Sequence, residues 1–525
     1  MAEQCGSTGQ IWRRLGRGIL VLAAGLALVA IIYRGTPMTF LRAESGQWLL
    51  VSHSDAATQQ AFRRSFFQTS YGGHYTPLAF LAEFETARLV GTSRSFWKWR
   101  QFVAVAALGA ALFYALGAVA RTFGVTPREG NAVAAALAVM TILHPQMTDL
   151  VAWPFMVIQI VWMTLFALAL WSLMRLALSP NETRWAWWAA GFAYTSMHVL
   201  GLGVVTVAAV VAALLAMIAA APDRRALAAP CLTLLVAGAI HGWIMFHLLP
   251  RGNGTLPAQH LHLIAALKLL LGFVTNFAFA GLRSFTAVTA SLPHPSSIAY
   301  GWPAGCLITA AALLVLACCF RRAQSEPGPK RTAILTIVVS SIIAFFMMIL
   351  LIAAREIFEE PELYSLPYFT ITPRYLMPLH MIVLGPVCIG AALAARRLPR
   401  RAPAACVVLG LAAIATQFAF QATARPFIEP LSQIPHYSAW RQVLATVRQC
   451  RTAGLAIPNV PLGALGQEFP ADLETFDPLV RADLHLAADE RLNVIPWKQY
   501  LADRARYRAA PALADLEHTL RLEPK

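Results

Sequence analysis

Four short stretches of this chain set ionisable side chains beside apolar runs, and each carries residue types that could do chemistry. In ESGQWLLVSHSDAATQQAF, Glu44 and Asp55 are eleven residues apart. That is about three helical turns, so on one surface helix both carboxylates would look to the same side, where either could act as a general base. The plainer reading is an acid favoured by the helix dipole and a solvated aspartate. In GGHYTPLAFLAEF, Gly72 and Gly73 permit a sharp turn and Pro77 suits the first turn of a helix. His74 and Tyr75 then stand at a helix N-terminus, where free N–H groups favour an anion; as plain structure they are rings of the interfacial belt. In HPQMTDLVAWP, His144 and Asp149 are spaced to meet over a tight turn, with Trp153 at the membrane interface and Pro154 opening the next helix. In TPRYLMPLH, Arg374 and Tyr375 open an apolar run. The planar guanidinium suits a phosphate at headgroup depth, and snorkelling to the interface is its bland role.

The elements that must position these residues are membrane helices. The chain has 525 residues, 58% of them hydrophobic and 13% charged, more apolar surface than a water-soluble fold of this size could hide. Its net charge of +16 sits in short runs between apolar segments, which argues for membrane orientation and against nucleic acid. Most cysteines fall in apolar segments, and no disulfide framework is visible. The run Gly18 to Tyr33 follows Arg13, Arg14 and Arg17 as a signal peptide would, but no A-x-A site follows it, so it reads as a retained span.

The fold class expected is an all-α polytopic membrane protein with about eleven spans, at about 15–33, 102–120, 130–143, 155–176, 186–200, 203–221, 227–248, 303–320, 332–353, 375–395 and 404–421. With a cytoplasmic N-terminus the inner loops are RTFGVTPREG, RLALSPNETR, PDRR, RRAQSEPGPKR and ARRLPRR, and each carries at least two basic residues. Residues 186–221 read as a hairpin turning at SMHVLGLG, with one long helix as the competing reading. The segment 258–290, interrupted by Lys268 and Arg283, reads as a surface or re-entrant helix on the outer side. Residues 1–421 thus form a transmembrane domain, with 34–101 as its first extracytoplasmic loop and 249–302 as an outer membrane-surface segment. Residues 422–525 form a small, mainly helical extracytoplasmic domain. The expected location is the plasma (inner) membrane, with all four chemical stretches on the outer face.

Taken together, the motifs resemble the polytopic glycosyltransferases of the C-type (GT-C) superfamily, in particular the aminoarabinose-transferase and protein O-mannosyltransferase branches. There an acidic pair opens a helix in the first outer loop, and a motif ending in Pro-Leu follows about thirty residues later. Glu44 and HYTPL stand at that distance, while HPQMTDLVAWP and PRYLMP resemble the later His-Pro and Arg-Tyr-Leu motifs of the O-mannosyltransferase type. The likeness covers about residues 15–395. The chain departs from the pattern at Glu44-Ser45, where the family has two acids, in PFMVIQIVW, which lacks an arginine, and at Met197-His198, which stands for Lys-Glu.

The resemblance implies sugar transfer from a polyprenyl-phosphate donor to a lipid, glycan or protein acceptor at the outer face. Glu44, or else Asp55, would be the base, and Arg374 with Tyr375, His74, Tyr75, His144 and Asp149 would bind substrate. A divalent metal ion, if the reaction uses one, would sit on Glu44, Asp55 or Asp149, although the usual His-rich spacing is absent. The alternatives are a non-enzymatic transporter or flippase of a lipid-linked glycan, an inactive GT-C relative, and a polymerase or ligase of lipid-linked glycans. A transporter would place its charges near the bilayer midplane, whereas here they stand at one rim. A reporter domain fused after Lys525 is expected to be active only outside the cytoplasm; cytoplasmic activity would overturn the odd number of spans.

Overall fold

The structure is a computed structural model that describes residues 2–36, 38, 43–52, 55–68, 75–91, 93–220, 222–248, 263–264, 266–268, 270–271, 296–325, 328–353, 373–423, 452–454, 460–461 and 494–495. The chain begins with α1 (Ala2–Tyr33), and three short helices follow, α2 (Ala43–Ser52), α3 (Ala56–Gln68) and α4 (Pro77–Val90). Next come α5 (Arg94–Thr122), α6 (Pro127–Ile142), the short α7 (Met147–Ala152), a 3-10 turn at Pro154–Met156, and α8 (Val157–Leu178). The hairpin α9 (Arg184–Val199) and α10 (Gly203–Ala220) leads to α11 (Ala228–Trp243), which runs into a π-helical turn at Ile244–Leu248. The remaining long helices are α12 (Ser296–Ser325), α13 (Gly328–Ala353), α14 (Pro373–Arg397) and α15 (Ala402–Thr423).

All eleven expected spans are helical. Eight are long and apolar enough to cross a bilayer, among them Ser95–Thr122, Pro154–Leu178, Gly203–Ala220 and Gly328–Leu351. The other three fall short: α6 and α9 have 16 residues each, and the apolar part of α12 is Gly305–Arg321. Sixteen residues rise about 24 Å, less than the roughly 30 Å hydrocarbon core. The chain is a multi-pass membrane protein, and the figure of eleven crossings goes beyond the eight helices that meet the length requirement.

Local sequence explains where these helices begin and end. At the start of α6, Thr126 Oγ1 accepts from the Glu129 N–H at 3.3 Å, and Glu129 Oε2 accepts from the Thr126 N–H at 2.9 Å. Pro127 occupies the first turn, so TPRE caps the helix by its own side chains. After α5 the chain turns through Gly124 at φ 77°, a left-handed conformation that glycine adopts without strain. The α9–α10 turn occupies Leu200–Leu202, as the hairpin reading expected and not one long helix. It closes with the Gly203 N–H on the Leu200 carbonyl at 2.7 Å. A Cβ at Gly203 would run into the backbone of Ser196 and Met197.

The long helix α5 is the hub of the packing, touching α1, α6, α8 and α14. Its buried face is built of Val105, Leu108, Leu112, Ala115, Leu116, Ala118 and Val119. Gly109 and Gly117 lie against Ile142 and Ala134 of α6. In lipid no hydrophobic force draws helices together, so this close approach of small residues supplies dispersion contact. The Tyr33 hydroxyl donates to the Ile142 carbonyl at 2.8 Å and joins the ends of α1 and α6.

The two ends of α5 lie about 44 Å apart and differ in chemistry. At its C-terminal end Arg121 lies within charge-repulsion range of Arg175, and Arg396 packs beside Gly124. These residues belong to three of the expected basic inner loops. At the opposite end gather the first loop and the α7 corner. Half-exposed tryptophans mark both levels, Trp187 and Trp188 near the basic end and Trp99 and Trp243 near the other, as interfacial belts do.

Three expectations need correction or stand aside. The stretch after Glu44 is two helices: α2 stops at Ser52 and Asp55 caps a new helix, because serine and aspartate bond the local backbone in competition with a continuing helix. Glu44 and Asp55 therefore do not share one helical face. Trp153, expected at the interface, is fully buried in protein. Most of 258–290 and of the 422–525 tail lies outside the described residues; within the tail Val460–Pro461 pairs in parallel with Val494–Ile495. Replacing Gly203 by Ala is expected to destabilise the protein by about 1–3 kcal/mol through overpacking, whereas Gly191→Ala on α9, with open space at its Cβ, should leave thermal unfolding unchanged.

Candidate functional site

The first loop is held by aromatic packing. Trp48 of α2 is buried and meets Phe155 at 5.0 Å between ring centroids, Phe80 at 5.7 Å and Phe66 at 6.4 Å. Phe62 continues the cluster with Phe66 at 4.8 Å and Phe84 at 5.3 Å. Such edge-to-face and tilted contacts fix orientation as well as burying area, and they seat α2, α3 and α4 on the Pro154–Met156 turn. On the outside of α3 and α4, Arg63 Nε pairs with Glu85 Oε1 at 2.5 Å. That bond to Arg63, with help from Arg88, holds the Glu85 carboxyl below the usual glutamate range.

The turn itself is clamped by α5. Arg100 Nη1 bonds both carboxylate oxygens of Glu83 at 2.8 Å, and its Nη2 donates to the Pro154 carbonyl at 2.7 Å. Its guanidinium lies over the Trp97 ring, 4.4 Å from the centroid. Gln101, fully buried, donates from Nε2 to the carbonyls of Trp153 at 2.8 Å, Pro154 at 3.2 Å and Leu150 at 3.3 Å. From α2, Ser45 Oγ accepts the Phe155 N–H at 3.2 Å. The broken backbone between α7 and α8 is thus satisfied by three side chains, as irregular backbone at membrane depth requires. Burial pushes the Glu83 carboxyl above the usual range, and the Arg100 charge opposes that shift.

Beside this corner two histidines face each other. His144 and His380 stack with centroids 6.0 Å apart and planes 26° apart. The Thr141 hydroxyl gives its one hydrogen to the Leu137 carbonyl at 2.8 Å. His380 Nε2, 2.8 Å from Thr141 Oγ1, must then be the donor there, which assigns its tautomer from the hydrogen-bond network. His144 Nδ1 accepts the Gln146 N–H at 3.2 Å. Gln417 of α15 donates to Thr148 Oγ1 at 2.7 Å and steadies α7 from its other side.

Of the residues expected at the site, Asp55 is the most completely explained. It is exposed, and its Oδ1 accepts the Thr58 N–H at 2.9 Å while Oδ2 accepts the Thr58 hydroxyl at 2.6 Å. Those bonds lower its pKa below the ordinary aspartate value and mark it as the cap of α3. Tyr75 is half-buried, its ring 5.4 Å from that of His241. Thr76 and Pro77 open α4 as expected. His144 is buried in the corner. Glu44, Asp149, Arg374 and Tyr375 lie on α2, α7 and the first turn of α14, but their side chains, like all of His74, lie outside the described residues. The helices that carry them touch in series: α2 meets the Pro154–Met156 turn, the turn meets α7, and α7 meets α14.

Sequence reading missed Glu83, Arg100, Gln101 and His380. Each left a signal: a polar or charged residue within or directly bordering an apolar segment is costly to bury and so has a partner or a function. Among the described residues no group of three or more His, Cys, Asp and Glu could hold a metal ion. Glu44 and Asp149 stand on α2 and α7, which both touch the Pro154–Met156 turn, and carboxylate oxygens suit a hard cation.

Fold and site together define an all-α, multi-pass membrane protein with its irregular, polar-lined corner at one end of the bundle. No protein-family model and no curated protein matches the chain. Among solved structures it is similar to the crystal structure of ArnT from Cupriavidus metallidurans bound to undecaprenyl phosphate, with 13% identity, 92% of this chain and 86% of that chain covered, and a TM-score of 0.42. It is also similar to the same protein in the apo state, with equal identity and coverage and a TM-score of 0.39.

Arg100→Leu is expected to cost about 3–5 kcal/mol of stability at neutral pH, because it strands a buried carboxylate. Without Arg100 the Glu83 pKa rises further, so the folded state holds its proton to higher pH than the unfolded state. Stability of the variant should therefore fall as pH rises from the ordinary glutamate range, and Glu83→Gln in the same background should abolish that slope in thermal unfolding across pH 5–8.

Proposed function

We propose that this chain is an integral-membrane glycosyltransferase that moves a sugar from a polyprenyl-phosphate donor to a lipid, glycan or protein acceptor at the outer face of the plasma membrane. One observation carries the reading. The elements bearing Glu44, Asp149 and the Arg374-Tyr375 pair touch in series at one end of the bundle, α2 on the Pro154–Met156 turn, that turn on α7 and α7 on α14, although they span about 330 residues of sequence. A transferase that meets its lipid substrate at headgroup depth needs such a rim.

In this reading Glu44 is the base. Asp55 has both oxygens engaged in capping and its pKa lowered, which weakens it as a proton acceptor. Glu44 takes the proton of the acceptor hydroxyl or amine as that atom attacks the anomeric carbon. The bond from the anomeric carbon to the phosphate oxygen breaks as the new bond forms, with inversion. The electron pair leaves with the lipid phosphate. Arg374, with Tyr375, His74, Tyr75 and the N-terminal N–H groups of α4, stabilises the charge gained by that phosphate, which is the main electrostatic demand of the step. His144 and Asp149 line the approach of the acceptor from the α7 corner.

Glu44→Gln is expected to lower transfer from a polyprenyl-phosphate hexose by at least about 100-fold with membrane insertion unchanged; full activity would move the base to Asp55. Arg374→Ala should weaken donor binding, and an unaltered donor affinity would overturn the phosphate assignment.

A further inference from the structure

Near the start of α4 a run of rings has no role in the transfer step beyond Tyr75. Tyr194 and His198, one turn apart near the end of α9, have ring centroids 4.7 Å apart. His198 meets His241 of α11 nearly perpendicular at 5.2 Å, and His241 meets Tyr75 at 5.4 Å. The stack joins the ends of α9 and α11 to the entry of α4, which itself packs on α9.

Ring contacts do not satisfy the polar atoms in this stack. Both nitrogens of His198 are shielded and have no hydrogen-bond partner, and neither has Thr76 Oγ1, next to Tyr75. Buried polar groups of native proteins are paired with few exceptions, so three orphaned atoms in one neighbourhood point to a ligand. The backbone adds an independent sign: directly after the last turn of α11, which holds His241, the chain passes into the π-helical turn Ile244–Leu248, an irregularity that recurs at functional sites.

We propose that His198 and His241, with Tyr75 packed on the His241 ring, form a subsite for the hydroxyl groups of an uncharged sugar ring. The proposal rests on the transfer reading, since the sugar would be the one carried by the lipid phosphate. The atoms select the ligand class. A neutral imidazole offers one donor and one acceptor, and neighbouring hydroxyls of a sugar both donate and accept, so they meet the two needs together. A fully ionised phosphate only accepts and would leave the imidazole acceptor unmet. A divalent transition metal needs further ligands beyond two histidines, and no group of three is present among the described residues. The Tyr75 and Tyr194 rings supply flat apolar faces for the C–H side of a pyranose. Tyr75, half-buried and just outside α4, packs on the His241 ring.

The test uses purified full-length protein in lipid nanodiscs, titrated with polyprenyl phosphate, a polyprenyl-phosphate hexose and Zn²⁺. His198→Phe keeps an aromatic ring between Tyr194 and His241 and removes both nitrogens. It is expected to weaken the hexose-bearing lipid about tenfold or more and leave bare polyprenyl phosphate unchanged. Equal losses for both lipids, or none, overturn the subsite and leave the transfer reading standing. Tight Zn²⁺ binding that His198→Phe abolishes overturns it in favour of a metal site. If the wild-type protein binds no polyprenyl phosphate, the transfer reading fails and carbethoxylation of His198 decides the subsite. Slowing by excess free hexose, not by inorganic phosphate, sustains it; equal reaction with and without hexose, or no reaction, overturns it.

Discussion

Arg100 holds three parts of the molecule with one guanidinium: the Glu83 carboxylate of α4, the Pro154 carbonyl of the α7–α8 turn and the face of Trp97. Aromatic packing seats the first loop, but the turn is broken backbone whose carbonyls need donors. A buried ion pair is a poor source of net stability against an apolar substitute. What it provides here is register, because only one placement of α4 over the turn lets both charges be paired and the carbonyl be bonded. Gln101, one residue on, serves the same turn with three carbonyl contacts, and Ser45 reaches it from α2. The clamp, with the Trp48 cluster on α2 and Gln417 on α7, sets the placement of the elements that carry the site.

The division of labour along α5 follows from it. At the clamped end lie the polar corner, the stacked His144 and His380, and the ring run from Tyr75 to Tyr194. At the other end lie Arg121, Arg175 and Arg396 on short turns between helices. The basic end carries the charge pattern that biases orientation in a membrane, and in the proposed transferase the clamped end gives the chemistry. Between them α5 runs as one continuous helix that fixes the spacing of the two ends, and its small-residue face lets α6 approach closely.

Much of the fold was legible in the sequence because its signals are local or additive. Apolar runs gave the helices, and SMHVLGLG gave the α9–α10 turn. Thr76-Pro77 opens α4 as the turn residues imply. The break between α2 and α3 was misread because the apolar spacing continues across it. The decisive signal there was Asp55 as a cap, competing with helix continuation. Trp153 was assigned to the interface by its residue type, yet a tryptophan beside a proline turn can equally be the plug of a corner, as it is here.

The sequence by itself determined that this is a helical membrane protein, which loops carry the basic charge, and which stretches could hold carboxylate, imidazole and guanidinium chemistry. Periodicity, capping and charge distribution act over a few residues or simply add up along the chain. Only the tertiary structure decided that Glu83 and Arg100 pair, that His380 stands against His144, and that Tyr75 meets His241 and His198. Those partners are separated by 17 to 236 residues and are selected by the cost of burying each polar group alone, a cost that exists only once the helices are packed.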